Sequence, residues 1–130
     1  MMHTQAPKVS TSERVFHSGA EVADARAWLT ALLPIRAGIP DDTAAAAVLC
    51  LSEAMTAAMA RTGAVMLSVS LGADWLYVEA RPAESVCARA PRPPADADTQ
   101  RYATALIEAF TDVWGRLPDD GGVYFYLGWP

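Results

Sequence analysis

Arginine side chains concentrate around a proline-rich stretch, and they are the residues whose type and spacing best suit binding of an anion. Arg81, Arg89, Arg92 and Arg101 lie within or beside residues 82–97. A guanidinium group offers a planar fork of N–H donors that matches a phosphate. Such arginines more commonly solvate a loop or contact an acidic partner. The pattern therefore leaves nucleotide phosphate binding as the less favoured interpretation.

Histidine and cysteine offer little further chemistry. The chain contains His3, His17, Cys50 and Cys87, and they form no cluster with the spacing of a zinc site. No Ser/His or Cys/His pair stands beside a catalytic signature. The sequence therefore predicts no bound metal, and we expect both thiols to be reduced.

Aromatic side chains concentrate in two predicted strands. They are Trp75, Tyr77, Tyr124, Tyr126 and Trp129. Because successive strand residues face opposite sides, Tyr124 and Tyr126 share one face, whereas Phe125 and Leu127 share the other. The sequence leaves open which face the helices cover. If the tyrosines face outward, self-association or partner binding is favoured, because exposed aromatic patches are typical of interfaces.

The elements that position these side chains follow from hydrophobic spacing and from glycine and proline breakers. Residues 1–12 are expected to be a flexible leader and residues 13–130 a single domain. Strands are predicted at residues 14–17, 64–71, 75–81 and 123–129. Helices are predicted from Ala20 to Pro34, from Thr43 to Arg61, and from Asp98 to Gly115. This order predicts an α+β, two-layer sandwich with three helices on one face of a mostly antiparallel four-stranded sheet.

Two of the predicted helices carry clear apolar stripes. For the second helix, the expected buried residues are Val48, Leu51, Met55 and either Ala58 or Met59. For the third, they are Tyr102, Leu106, Ala109 or Phe110, and Val113.

Composition narrows the class of protein. The chain has 130 residues, of which 52% are apolar and 19% are charged, and its formal net charge is −5. An acidic balance argues against nucleic acid as a partner. No apolar run approaches the roughly 20 residues of a membrane helix, and no secretory signal is recognised. We therefore expect a cytoplasmic protein of one domain.

One helix carries a more specific signal. Residues 51–58 read LSEAMTAA, which resembles the LSELVTNA helix of the anti-sigma-factor serine kinases, a family of Bergerat-fold (GHKL), histidine-kinase-like ATPases. The resemblance extends over residues 14–129 and includes the hairpin VMLSVSLGADWLYVE and the final GGVYFYL. It is weakest over residues 82–99. The abundance of alanine and arginine is similar to actinobacterial members.

The ATP site that this resemblance implies is incomplete. In the family, a glutamate acts as base, and an asparagine one helical turn later ligates Mg²⁺. Glu53 matches the glutamate, but Ala57 occupies the asparagine position, and the chain contains no asparagine.

The family's two glycine boxes are also missing. The adenine-binding box would fall near Pro82, and the phosphate-binding box would fall on Gln100 and Arg101. None of the eight glycines lies between Gly72 and Gly115, the interval where both boxes belong.

The resemblance thus implies a pseudoenzyme without ATP turnover or cofactor, in which Glu53 is an inactive remnant. Its implied partners are a sigma factor or a STAS-domain anti-anti-sigma protein, with a homodimer left open. Two alternatives remain. One is a divergent serine kinase that uses ATP and Mg²⁺ with Glu53 as base. The other is a recruited fold that binds a small ligand in a vacated cleft bordered by Ala57 and Pro82.

Overall fold

Five strands and three α-helices make up the computed structural model, which describes residues 9–17, 19–33, 38–59, 63–83, 97–118 and 121–130. The elements are β1 (Ser10–His17), α1 (Val22–Leu32), α2 (Asp41–Met59), β2 (Ala64–Leu71), β3 (Trp75–Pro82), α3 (Ala97–Phe110), β4 (Val113–Arg116) and β5 (Val123–Gly128). A 3₁₀ turn, Gly19–Glu21, leads into α1.

The strands form one sheet in the order β1-β2-β3-β5-β4, and every neighbouring pair is antiparallel. The tight connection between β2 and β3 closes with a hydrogen bond of 2.9 Å from the Gly72 amide to the Trp75 carbonyl. Across β3 and β5, Tyr77 lies opposite Tyr126, and Glu79 lies opposite Tyr124. This register places the aromatic residues of the two central strands side by side.

Strict alternation along the strands separates a buried face from a half-exposed one. The buried face joins the helices in a single hydrophobic core, to which α2 contributes Leu51 and Met55 and β5 contributes Phe125. The predicted stripe of α2 is confirmed at Leu51, Met55 and Ala58, which are fully buried. The protein is therefore an α+β fold whose helices cover one face of an antiparallel sheet.

The predicted count of four strands is wrong, because residues 113–116 form a fifth strand instead of ending the third helix. The α3 helix stops at Phe110, and the amide of Asp112 then donates a 3.1 Å hydrogen bond to the Tyr126 carbonyl. Pairing with β5 continues as far as Arg116. Hydrogen bonding to a partner distant in sequence thus outweighs the helical spacing of the apolar residues.

The predicted buried face of α3 is wrong as well. Ala103 and Ile107 are buried, whereas Tyr102 and Phe110 are 66% and 47% exposed. The helix is thus rotated by about one residue relative to the predicted stripe, since buried positions recur at spacings of three and four.

The boundary of the expected leader also moves. Strand β1 begins at Ser10, so residues 10–12 pair with β2 instead of belonging to a leader, and Ser12 lies opposite Val69. Residues 1–8 lie outside the described residues. Within the described part of the chain, no helix is long and apolar enough to cross a membrane.

Candidate functional site

The face of the sheet that points away from the helices carries four aromatic side chains in two adjacent strands. Trp75 and Tyr77 lie on β3, and Tyr124 and Tyr126 lie on β5. All four are half-buried, and their strand neighbours Leu76, Val78 and Phe125 point into the core. We call these four residues the aromatic face. The sequence left this orientation open, and the structure places Tyr124 and Tyr126 on the outer face.

The rings pair across the two strands. The ring centroids of Trp75 and Tyr126 are 6.4 Å apart with an interplanar angle of 24°, and those of Tyr77 and Tyr124 are 5.9 Å apart at 32°. Small interplanar angles at these separations mean that neighbouring rings lie side by side and not edge to face. The aromatic face therefore consists of two ring pairs, each of which joins β3 to β5.

Glycines beneath the rings allow this flat arrangement. A Cβ atom at Gly115 of β4 would lie 2.7 to 2.8 Å from Oη, Cε1 and Cζ of Tyr124. Because these distances are almost equal, the Cβ position lies out of the ring plane, beside the hydroxyl end of the ring. At Gly72, a Cβ atom would lie 2.0 Å from Nε1 of Trp75. Each of these rings thus covers a glycine, which only a residue without a side chain permits.

A hydrogen-bonded network lies next to the rings. The hydroxyl of Tyr77 donates a 2.6 Å hydrogen bond to Oε2 of Glu79, and Nε of Arg81 donates a 3.0 Å bond to Oε1 of the same carboxylate. Burial raises the pKa of Tyr77 above its ordinary value, and the hydrogen bond to Glu79 adds to the shift. Tyr77 is therefore a neutral donor at physiological pH.

A second carboxylate lies at the edge of the aromatic face. Oδ2 of Asp112 accepts a 2.8 Å hydrogen bond from the Gly128 amide, opposite Trp75 in the register. The next residue, Val113, lies opposite Tyr126 and is 52% exposed. An acidic group and an exposed apolar side chain thus border the rings on this side.

Trp129 does not belong to the aromatic face. It is buried in the hydrophobic core, and its amide donates a 2.9 Å hydrogen bond to the carbonyl of Asp74.

The residues of the implied ATP site lie in the helix layer. Glu53 is half-buried on α2, and Ala57, one turn further along, is 5% exposed and belongs to the hydrophobic core. Burial, with a further contribution from the charge of Glu53, raises the pKa of the Cys50 thiol to about 12. A methyl group in the core offers no ligand at the position where the family places its metal-binding asparagine.

The flanking arginines do not converge on one site in the described part of the chain. Arg81 lies on β3 beside Glu79, on the outer face of the sheet, whereas Arg101 lies on α3 in the opposite layer. Arg101 is highly exposed and forms an ion pair with Asp98 on its own helix. The less favoured interpretation, phosphate binding by these arginines, therefore has Arg81 and Arg101 in different layers, and Arg89 and Arg92 lie outside the described residues.

The cleft of the recruited-fold alternative stays a prediction, because residues 84–96 of the loop beside it lie outside the described residues. Pro82 ends β3 opposite Val65, and Gln100 lies within α3. A concavity of about 320 Å³ lies elsewhere, on the outer side of the helix layer. Its lining consists of Asp42, Ala45, Ala46, Leu49 and Phe110.

Sequence reasoning missed the carboxylates and glycines around the rings. The alternation Trp75, Tyr77, Glu79, Arg81 is a visible signal, because residues two apart in a strand share a face. The role of Gly115 could not be predicted in this way, because residues 113–116 were expected to end the third helix and instead form β4.

No protein-family model matches the chain, and no curated protein matches it in sequence.

Proposed function

We propose that this chain is a regulatory protein that acts by binding another protein through the aromatic face of its sheet. The proposal depends on one observation: the four rings lie on the sheet face opposite the three described helices. Tyrosine and tryptophan are the residues that most often anchor protein interfaces, because they present large contact areas at a small cost in conformational entropy.

We further propose that the protein is a catalytically degenerate relative of the anti-sigma-factor serine kinases, with the Bergerat-type fold and a cytoplasmic location. The sequence LSEAMTAA in α2 and the helix layer on one sheet face support this assignment. The core position of Ala57 supports loss of metal-dependent chemistry at that site. The proposed partner is a sigma factor or a STAS-domain protein, and partner exchange is set by relative affinity and concentration alone.

The first experiment separates regulator from kinase. Thermal unfolding is followed with and without excess Mg·ATP and Mg·ADP. A nucleotide at a hundred times its Kd stabilises a protein by about 2.7 kcal/mol, which for a domain of this size raises Tm by roughly 6–15 °C. We expect no rise. A rise of that order, abolished together with phosphoryl transfer in Glu53→Gln, would establish the kinase alternative.

The second experiment locates the binding surface. Sigma factors and STAS-domain proteins encoded in the same genome are titrated against the wild type, against Trp75→Leu/Tyr124→Leu, and against Tyr102→Leu. Tyr102 is a matched control because it is an exposed aromatic residue in the helix layer. We expect about a tenfold or greater loss of affinity in the double variant only. Equal affinities for all three proteins would place the interface elsewhere.

A further inference from the structure

We infer that the aromatic face binds arginine side chains of the partner, presented by an extended segment. This inference rests on the proposed function, since it names the chemistry recognised by the same surface. It is carried by three features of the described residues: half-exposed rings, an acidic border and the spacing of the rings.

The rings lie on the outer face of the sheet and are half-buried. Tyr124 and Trp75 each lie against a glycine, which has no side chain to cover the ring. The π face of an aromatic ring is its negative side and attracts cations, and a guanidinium group adds stacking because it is planar. A flat ring on a glycine is therefore a ready platform for arginine.

The charges on this side of the sheet favour a cation. Glu13, Glu79 and Asp112 lie on or beside the outer face, as the register and their hydrogen bonds show. Among the described residues, Arg81 is the one arginine on this face, and it already contacts Glu79. The carboxylates of this surface therefore attract a guanidinium group above the rings, whereas they repel an anion.

The spacing of the rings matches an extended chain. Residues two apart in a strand lie about 6.4–6.8 Å from each other on the same side. The two ring pairs have centroid separations of 5.9 and 6.4 Å. A segment with arginine at every second position can thus place consecutive guanidinium groups over neighbouring rings.

Single-stranded nucleic acid is the main competitor for such a surface, because bases also stack on flat aromatic rings. Its binding requires basic residues along the path of the phosphates. The acidic border of this face lacks that feature, so the observations favour an arginine-bearing protein segment.

The experiment uses the full chain and three synthetic peptides that alternate serine with arginine, lysine or leucine, together with an oligo-dT strand. Binding is followed through the indole N–H resonance of Trp75, assigned with Trp75→Leu, and through titration isotherms. We expect saturable shifts with the arginine peptide, a Kd at least about twofold weaker for the lysine peptide, and weaker binding at higher salt. Trp75→Leu should weaken binding of the arginine peptide about two- to fivefold, and Tyr102→Leu should leave it unchanged.

Several results would overturn the inference. Equal affinity for arginine and leucine peptides would show that the face recognises apolar surface, and the proposed function would survive. The same conclusion would follow if partner proteins bind the face but no peptide shifts the Trp75 resonance. Binding of oligo-dT at the face would overturn both proposals. Shifts that depend only on protein concentration would show that a second copy of the chain occupies the face.

Discussion

The ring of Tyr124 covers the backbone of Gly115 on the neighbouring edge strand, so that a Cβ atom there would lie within 2.8 Å of three atoms at the hydroxyl end of the side chain. The contact joins the two strands on the sheet face opposite the described helices. It involves one ring of the aromatic face.

This relationship predicts the effect of Gly115→Ala. The added methyl group should push the Tyr124 ring aside, because its hydroxyl end can rotate while the backbone cannot. Displacement of the ring should destabilise the protein through lost packing. Replacement of a strand glycine should stabilise it by about 0.5–1 kcal/mol, so the two effects should nearly cancel. The free energy of unfolding, measured by urea denaturation, should therefore change by less than about 1 kcal/mol. The NMR resonances of the Tyr124 ring should shift. A loss above about 3 kcal/mol would mean that the ring is held rigidly.

The rotation of α3 predicts opposite effects for two of its residues. Ile107→Ala should reduce the free energy of unfolding by about 2–5 kcal/mol, because Ile107 is fully buried and its truncation leaves a cavity. Tyr102→Ala should change it by less than about 0.5 kcal/mol, since the residue is mostly exposed. Urea denaturation of both variants checks the assignment, and the reverse ranking would restore the stripe predicted from sequence.

The environment of Tyr77 predicts a dependence of stability on high pH. Its pKa is raised in the folded protein by burial and by the hydrogen bond to Glu79. The folded state therefore holds this proton more tightly than the unfolded state does, and the resulting stability is complete below the unfolded pKa of about 10 and declines above it. Between pH 9 and about pH 11, the wild type should lose more stability than Tyr77→Phe. Chemical denaturation measures the free energy of unfolding at each pH. Equal losses in the wild type and in Tyr77→Phe would show that Tyr77 does not cause the pH dependence.

The burial of Cys50 predicts slow thiol chemistry. With its pKa raised to about 12, the thiolate fraction near neutral pH is on the order of a thousandfold below that of a model thiol with pKa 9.0. In a Cys87→Ser background, a thiol reagent should modify Cys50 only after denaturation. Rapid labelling of the folded protein would instead indicate local opening of α2.

Local pattern was enough to determine several elements of this protein. The β2–β3 hairpin and the final strand lie where alternation and turn residues predict them, and the buried stripe of α2 follows its helical spacing. A turn glycine, the spacing of two in a strand and the spacing of three to four in a helix each involve residues close together in the sequence. Such short-range preferences can be read directly from the sequence.

Other features depend on partners that are distant in sequence, and they became apparent only in the folded protein. Residues 113–116 become a strand because β5 supplies hydrogen bonds to them, and this pairing in turn ends α3 at Phe110. The outward orientation of Tyr124 and Tyr126 follows from the helices covering the opposite face, which alternation alone cannot select. The contact between Tyr124 and Gly115 requires both the pairing of β4 with β5 and the outward orientation of the tyrosine.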